Sequence, residues 1–388
     1  MQRLPDPGPM PEPARLPDPG AMPDPAVLQM TEVTRTYPCN ACGAQLVFDP
    51  ATQRLLCRSC GNSLVIEASA APVPKHDLSA TMNMLAATRP QGLVSLDKEI
   101  VCQSCGGHTQ FTGSMTALRC PYCNTPIQRD DLQAAPARLA VDGLIPFRVD
   151  DATARKEIEA WINSRWFAPN QFKKYRELGS FTSIYLAYFG YDADTTTSYT
   201  GQRGEHYYVT VGSGKDQRRE RRTRWWPASG VVDNTFRDVT GLANSGLDTG
   251  KVQELEPWPI EQATPYKQEF VAGHLARTYD LDPYQVFGSL VEPRLNDMID
   301  RTIRSDIGGD EQQIHSKDIS WHSLDFGHVL LPVWLLTVTY KQMPFQVFIN
   351  GVTGEVQGQR PYSAIKIALA VAAATVVVIL LIWFFSNQ

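Results

Sequence analysis

The chain has 388 residues, 43% of them hydrophobic and 20% charged, which is enough for two or three folded units with cores of their own. A net charge of -5 argues against a protein that coats nucleic acid through a global positive field, although local basic patches remain compatible with it. Because no apolar segment of the secretory type stands near the N-terminus, we expect no signal peptide.

Residues 1–33 are rich in proline, and the segment Arg3–Ala14 is repeated with small changes by Arg15–Ala26. Proline removes backbone donors and favours the extended polyproline II conformation, so we predict a disordered, solvated tail. A ligand for a proline-recognising domain is an alternative interpretation. Translation from Met30, which would leave the repeat out of the protein, is another.

All eight cysteines fall in two units with the same spacing, C-x2-C-x14-C-x2-C. Such regular short spacing is typical of metal-bound thiolates in a reducing compartment rather than of an extracellular disulfide framework. Four thiolates fill a tetrahedral ion and leave no open position, so we predict two structural zinc ions. The predicted ligands are Cys39, Cys42, Cys57 and Cys60 in the first ribbon and Cys102, Cys105, Cys120 and Cys123 in the second.

The first zinc ribbon is predicted over residues 34–68 and the second over 98–131, with a linker at 69–97. Each spacer suits a hairpin that brings the second cysteine pair beneath the first, formed by Leu46–Phe48 with Arg54–Leu56 and by Thr109–Phe111 with Ala117–Arg119. Gly43, Gly61 and Gly106 follow cysteine pairs and permit the turn's backbone conformation. Neither unit is unusually basic, which favours contact with protein.

Residues 132–362 are predicted to form a β-rich α+β domain. Asp150 and Asp151 cap a helix that runs to about Trp166, and a second long helix begins at Asp282-Pro283 and ends at Gly308-Gly309. Alternating and β-branched segments predict strands at Phe181–Tyr191, Glu205–Val211, Arg218–Trp226, Leu330–Tyr340 and Phe345–Ile349. Ile184–Tyr191 and Leu331–Val338 each follow a helix and open a hairpin, which indicates duplicated helix–hairpin units.

A transmembrane helix is predicted at 363–386, because Ile367–Phe385 carries no charge and spans about 28 Å at 1.5 Å per residue. Arg360 and Lys366 precede this helix and no basic residue follows it. By the positive-inside rule, we expect residues 1–366 in the cytoplasm and a single-pass tail anchor in the inner membrane.

The sequence contains no nucleophile elbow, H-E-x-x-H motif or Rossmann fingerprint. Gly212–Lys215 resembles the end of a phosphate-binding loop, but Val209 and Asp216 occupy positions that such a loop gives to other residues, so the segment is interpreted as a turn. His315, His322 and His328 lie near two aspartates; a metal or acid–base site is one interpretation, and scattered polar loop residues are the favoured one. We therefore expect no enzymatic activity and no small-molecule substrate.

The most basic stretch joins five arginines to two tryptophans. Three interpretations stay open: a solvated strand face, contact with anionic lipid, and contact with nucleic-acid phosphates aided by aromatic stacking. The residues are Arg218, Arg219, Arg221, Arg222, Arg224, Trp225 and Trp226.

Several further segments carry a family resemblance: Ile145–Phe147, Trp166–Asn170, Arg224–Gly230, Ala272-Gly273, Asp306–Asp310, Leu331–Trp334 and Asn350–Pro361. With the cysteine units, they resemble a bacterial family of membrane-anchored, TFIIB-type zinc-ribbon proteins, often named primosomal protein N′ (replication factor Y)-superfamily II helicase-like. The resemblance covers roughly residues 36–366, and Asn350–Val356 within the last segment is its most specific part.

The helicase name reflects the zinc-binding cysteines, since this chain lacks the motifs of two ATP-binding motor lobes. The resemblance implies partners among SPFH-type membrane scaffolds and supplies no catalytic residues. We therefore predict a non-enzymatic, membrane-anchored zinc-ribbon adaptor that assembles protein partners at the cytoplasmic face. The alternative is a nucleic-acid-associated accessory protein without an ATPase motor.

Overall fold

A computed structural model describes residues 37–67, 69, 71–88, 98–101, 108–111, 115–119, 126–128, 139–164, 169, 179–212, 217–245, 247–340, 343–359 and 363–386. The proline-rich repeat, most of Trp166–Asn170 and residues 213–216 of the phosphate-loop-like turn lie outside these ranges. Within them the chain is a sheet-rich α+β protein that ends in one apolar helix.

The strands are β1 (Leu46–Asp49), β2 (Arg54–Cys57), β3 (Ser63–Val65), β4 (His76–Asp77), β5 (Lys98–Val101), β6 (His108–Phe111), β7 (Met115–Arg119), β8 (Pro126–Gln128), β9 (Gly143–Leu144), β10 (Gly179–Val211), β11 (Arg218–Leu242), β12 (Thr264–Pro265), β13 (Leu275–Arg277), β14 (Glu311–Tyr340), β15 (Met343–Asn350) and β16 (Val356–Gly358). The α-helices are α1 (Leu78–Thr88), α2 (Asp151–Asn163), α3 (Thr249–Gln253), α4 (Pro283–Val286), α5 (Glu292–Ile307) and α6 (Ala364–Ser386). A π-helical turn, Phe287–Val291, joins α4 to α5.

Three very long antiparallel strands, β10, β11 and β14, form a ribbon with β10 at its centre. β10 has 33 residues, which corresponds to about 110 Å of extended strand at 3.3 Å per residue. Register shifts at Tyr191/Ala193, Asp194/Thr195 and Thr200/Gly201 mark bulges that locally increase the twist.

The main core lies at the end of the ribbon where β10 begins and β14 ends. There β15 and β16 extend the sheet, and β9, β12 and β13 add short edges. Tyr185, Phe189 and Leu330 are fully buried, and Phe147 packs edge-on against Tyr185 at 5.0 Å. We call this end the base of the ribbon.

The starts of both predicted helices and the end of the second agree with the structure, although the second is divided into α4, the π-helical turn and α5. The Asp150 side chain accepts a hydrogen bond from the backbone N–H of Thr153 and starts α2. Asp282 and Gln285 form a reciprocal capping box at the start of α4, and Gly308, at φ 65°, ends α5. These signals are local, which is why spacing alone located them.

Helix α5 lies along the ribbon and holds its three strands together. Leu295, Ile299 and Ile303 form a fully buried stripe at four-residue spacing. The hydroxyl of Tyr199 on β10 donates to Asp306 at 2.6 Å, and Thr302 donates to Asn234 on β11 at 2.7 Å. An ion pair of 2.6 Å between Lys317 and Asp300 attaches β14.

Several predicted strands were too short, and one predicted hairpin was wrong. Phe181–Tyr191 and Glu205–Val211 are parts of one continuous strand, and Leu330–Tyr340 is the end of β14. β6 pairs with β5, while β7 pairs with β8 and β13, so Thr109–Phe111 does not pair with Ala117–Arg119. The pairing of β7 with β13, which is more than 150 residues away in the sequence, could not be predicted from the local cysteine spacing.

Candidate metal centre and basic hairpin

The four cysteines of the first unit converge on one point. Their sulfur atoms all lie within 4.8 Å of one another. The Sγ atoms of Cys39 and Cys60 are 3.6 Å apart, and those of Cys42 and Cys57 are 3.5 Å apart. A regular tetrahedron with zinc–sulfur bonds of about 2.3 Å has edges of about 3.8 Å, so the four sulfurs fit one zinc ion.

Two turns with the same backbone geometry present these sulfurs. The N–H of Gly43 donates to the Cys39 carbonyl at 2.8 Å, and the N–H of Gly61 donates to the Cys57 carbonyl at 2.9 Å. Both glycines have positive φ, 71° and 76°, which a residue with a Cβ rarely adopts. β1 and β2 pair as the predicted hairpin and bring the two turns together.

Backbone donors favour the thiolate form of two of the four cysteines, Cys39 and Cys57. The N–H of Ala41 lowers the pKa of Cys39 to about 6, helped by the side chain of Asn62, whose Nδ2 lies 3.6 Å from the sulfur. The N–H of Cys60 lowers the pKa of Cys57 in the same way. Contacts with neighbouring cysteine side chains raise the pKa of Cys42 and Cys60. Since thiolates are the metal-binding form of cysteine, the site by itself favours two thiolates, and a bound cation would favour all four.

The cysteine unit is docked on the base of the ribbon. Phe48 is 2% exposed, its N–H donates to the carbonyl of Ala272 at 2.8 Å, and its ring packs edge-on against Phe270 at 5.4 Å. Gln53 donates from its side-chain amide to the carbonyl of Phe147 at 2.7 Å. The cysteine cluster therefore has a fixed position relative to the large sheet.

The ligands predicted for a second zinc lie outside the described residues. The structure places the neighbouring strands β7 and β8, which pair with each other, but not Cys102, Cys105, Cys120 or Cys123. Among the residues that are described, the first unit is the cysteine cluster suited to a metal, so the structure supports one site.

The predicted basic residues stand at the far end of the ribbon from the base. β14 starts at Glu311 opposite Gly204, and beyond that level the pairing among the described residues is between β10 and β11. We call this two-stranded end, Glu205–Val211 with Arg218–Arg224, the arginine hairpin. Its arginines are all exposed. Trp226 is also exposed, whereas Trp225 is partly covered and lies over Gly204.

Two tyrosines of this hairpin were not singled out from the sequence. The guanidinium of Arg219 lies 5.0 Å from the ring centre of Tyr208, and that of Arg224 lies 5.0 Å from the ring centre of Tyr207. Such contacts are cation–π interactions. The sequence could have indicated them, because a hairpin around the turn predicted at Gly212–Lys215 places the Tyr-Tyr dipeptide opposite the arginines.

The three histidines do not form a site. All lie on β14, where strand geometry separates His315 from His328 by about 40 Å along the strand. His322 contacts the Thr196 hydroxyl at 2.8 Å, and His328 is buried beside the carbonyl of Ala140 at 3.0 Å. They are strand residues rather than the predicted loop residues.

The C-terminal helix exposes its apolar side chains. Ile365–Phe385 has 21 residues, is long and apolar enough to cross a membrane, and has no part buried within the protein. Trp383, Phe384 and Phe385, near its end, are all more than half exposed.

Comparison with known proteins gives one distant relative. Over 342 residues the chain is 25% identical to the uncharacterised protein YdjG of Bacillus subtilis (strain 168), which covers 86% of this chain and 92% of that protein. No family model matches the chain, and no solved structure matches it.

Proposed function

We propose that this chain is a non-enzymatic adaptor, anchored in the inner membrane by its C-terminal helix, that holds protein partners at the cytoplasmic face. The convergence of four cysteine sulfurs within 4.8 Å carries the proposal. A site closed by four thiolates binds its metal structurally, so its contribution is a rigid surface rather than a reactive ion.

Docking on the ribbon base supports an adaptor role. Leu64 and Val65 on β3 are 49% and 58% exposed on the outer side of the cysteine unit. Zinc would hold this apolar edge in a fixed conformation beside the base. An exposed apolar pair on a rigid support is suited to contact with another protein.

Residues on both sides of the membrane helix support a cytoplasmic orientation. Lys366 stands in its first turn, whereas Ser386, Asn387 and Gln388 at its other end are uncharged. Thiolate metal ligands are typical of a reducing compartment, which agrees with that orientation. The resemblance to membrane-anchored TFIIB-type zinc-ribbon proteins adds SPFH-type membrane scaffolds as the partner class.

Two finer features belong to the same proposal. The cysteines from Cys102 to Cys123 would bind a second zinc in a second ribbon. The order helix, long strand, hairpin partner occurs as α2–β10–β11 and again as α5–β14–β15, and β10 and β14 pair with each other, which supports duplicated units.

The decisive experiment compares partner recovery by two variants of the affinity-tagged full chain from detergent-solubilised membranes. Cys42→Ser/Cys60→Ser removes two ligands, while Asn40→Ser/Arg58→Ser changes exposed residues between the ligands and is the control. We expect the cysteine variant to contain one zinc equivalent less by elemental analysis and to lose the membrane-protein partners that the control retains.

Three results would contradict the proposal. One is an unchanged partner set in the cysteine variant. Another is recovery of replication proteins or DNA without any membrane partner. The third is ATP hydrolysis by the pure chain.

A further inference from the structure

The arginine hairpin extends beyond the supported part of the ribbon. Its two strands pair from Glu205 with Arg224 to Val211 with Arg218, without the third strand. At its root, His206 contacts the carboxylate of Glu311 at 2.6 Å, and Thr223 donates to the same carboxylate at 3.1 Å. These contacts fix the direction in which the hairpin leaves the ribbon.

Most arginines of the hairpin form no ion pair with a described carboxylate, although the charge of Arg221 helps to lower the pKa of Glu311 after its hydrogen bonds from His206 and Thr223. Among the described residues, Arg222 forms an ion pair with Glu220 at 3.9 Å. No such ion pair is formed by Arg218, Arg219, Arg221 or Arg224 with any described residue. All the cations of β11 in this region are arginines, whose planar guanidinium binds phosphate through two parallel hydrogen bonds.

Both faces of the hairpin carry this chemistry. Side chains alternate along a strand, so Arg219 and Arg221 share one face with Tyr208. Arg218, Arg222 and Arg224 share the other face with Tyr207. A flat surface such as a membrane meets one face of a hairpin and leaves the other unused.

The hairpin is also far from the start of the C-terminal helix along the strand. Gly358, shortly before the helix, pairs with Val347 on β15, and Val347 pairs with Leu336 on β14. Leu336 in turn pairs with Phe181 on β10, so the four residues lie at the same height of the sheet. From Phe181 to Val211 the strand runs for about 100 Å. Contact with lipid headgroups around α6 would require the ribbon to return to its own base.

We propose that the arginine hairpin binds duplex DNA by entering the major groove. That groove is about 12 Å wide and admits a two-stranded β-ribbon. Its walls carry phosphates on both sides, so the arginines of both faces find partners at once. Duplex RNA has a deep, narrow major groove that does not admit the hairpin.

The test measures binding of the full chain, in neutral detergent, to a labelled DNA duplex of about 20 base pairs at salt concentrations from about 50 to 200 mM. The variant Arg218→Gln/Arg221→Gln/Arg222→Gln removes three charges and leaves both arginine–tyrosine contacts in place. Lys156→Gln/Arg301→Gln/Arg304→Gln removes three exposed charges from α2 and α5 and is the matched control. Thermal melting verifies that both variants are folded.

For the hairpin variant, we expect weaker binding. The logarithm of the association constant should also fall less steeply with the logarithm of the salt concentration, by about three units of slope, since each phosphate contact contributes about 0.9. The control should retain the wild-type slope. Equal slopes for wild type and hairpin variant, or no binding by the wild type, would overturn the proposal. So would hairpin-dependent binding to phosphatidylglycerol vesicles without binding to the duplex, which would assign the hairpin to lipid.

Discussion

At the scale of single residues, Gly201 is the position where the ribbon has least room. It follows a bulge in β10, and a Cβ placed there would lie 2.2 Å from the backbone oxygen of Gln313 on β14. Real Cβ atoms do not approach a backbone oxygen this closely, so any side chain must separate the two strands. The same Cβ would lie 3.2 Å from the Cδ1 methyl group of Ile307 on α5, so the helix leaves no room for it either.

We expect Gly201→Ala to lower the free energy of unfolding by about 1–3 kcal/mol, the usual cost of overpacking. Gly288→Ala is the control, because Gly288 is exposed in the turn between α4 and α5 and a Cβ there meets nothing within 4 Å. Alanine should be neutral there or stabilise the helix by up to about 1 kcal/mol. Urea unfolding measures both; equal effects at the two positions would refute the steric argument.

The cysteine cluster of the first unit was the part of the candidate site that could be predicted residue by residue. The cysteine spacing and the glycines after each pair are local signals, and the first unit forms the expected hairpin with both glycines at positive φ. Asn62 was missed, although it directly follows Gly61, because its contact with Cys39 depends on the convergence of the two turns.

At the scale of elements, Asp194 ties the three strands of the ribbon together. On β10 it accepts hydrogen bonds from Thr235 on β11 at 2.9 Å and from Ser323 on β14 at 3.0 Å. It also pairs with Arg237 at 3.0 Å. The Thr235 hydroxyl and then Arg237 lower the pKa of Asp194, because both stabilise the carboxylate.

This pKa gives a signed prediction of stability against pH. A carboxyl whose pKa is lower in the folded than in the unfolded chain stabilises the fold above about pH 4, the unfolded value. The contribution is lost as pH falls below about 4. We expect Asp194→Asn to be less stable than wild type at pH 7 and to lose less stability on acidification, as measured by thermal melting.

Asp233→Asn is the matched control for that experiment. Asp233 lies on β11 and accepts a hydrogen bond from the single hydroxyl of Thr196, at 2.6 Å. If both variants showed the same pH profile, the three-strand role of Asp194 would be wrong.

The full length of β10, β11 and β14 could not be predicted from local sequence patterns, for a physical reason. Between Asp192 and Gly204 burial alternates from residue to residue, but the sequence does not alternate between apolar and polar residues, because threonines such as Thr195 and Thr197 occupy buried positions. Cross-strand hydrogen bonds such as Thr235 to Asp194 and Thr200 to Ser316 hold it instead. Their partners are 41 and 116 residues apart, so no sequence window contains both.

At the scale of the whole molecule, the C-terminal helix is separate from the core. No part of Ile365–Phe385 is buried, whereas β16, shortly before it, pairs with β15 in the main sheet. A chain that ends after residue 362 should therefore keep its fold and lose its attachment to membranes.

The expected result is that the truncated chain stays in the supernatant after ultracentrifugation and melts at the same temperature as the full chain in detergent. The full chain should sediment with membranes and resist extraction by alkaline carbonate. A truncated chain that unfolds would show that α6 supports the core, and a full chain released by carbonate would refute the membrane span.

The antiparallel ribbon also determines how the molecule responds to force. β10 leads from the base to the arginine hairpin, and β14 returns to the base and continues through β15 and β16 to the C-terminal helix. A pull on the hairpin against that helix acts along the strands, while the hydrogen bonds between the strands lie across them. These bonds are then loaded together in shear rather than opened one after another, so tension applied at the tip reaches the base, where the cysteine cluster is docked, without unzipping the sheet.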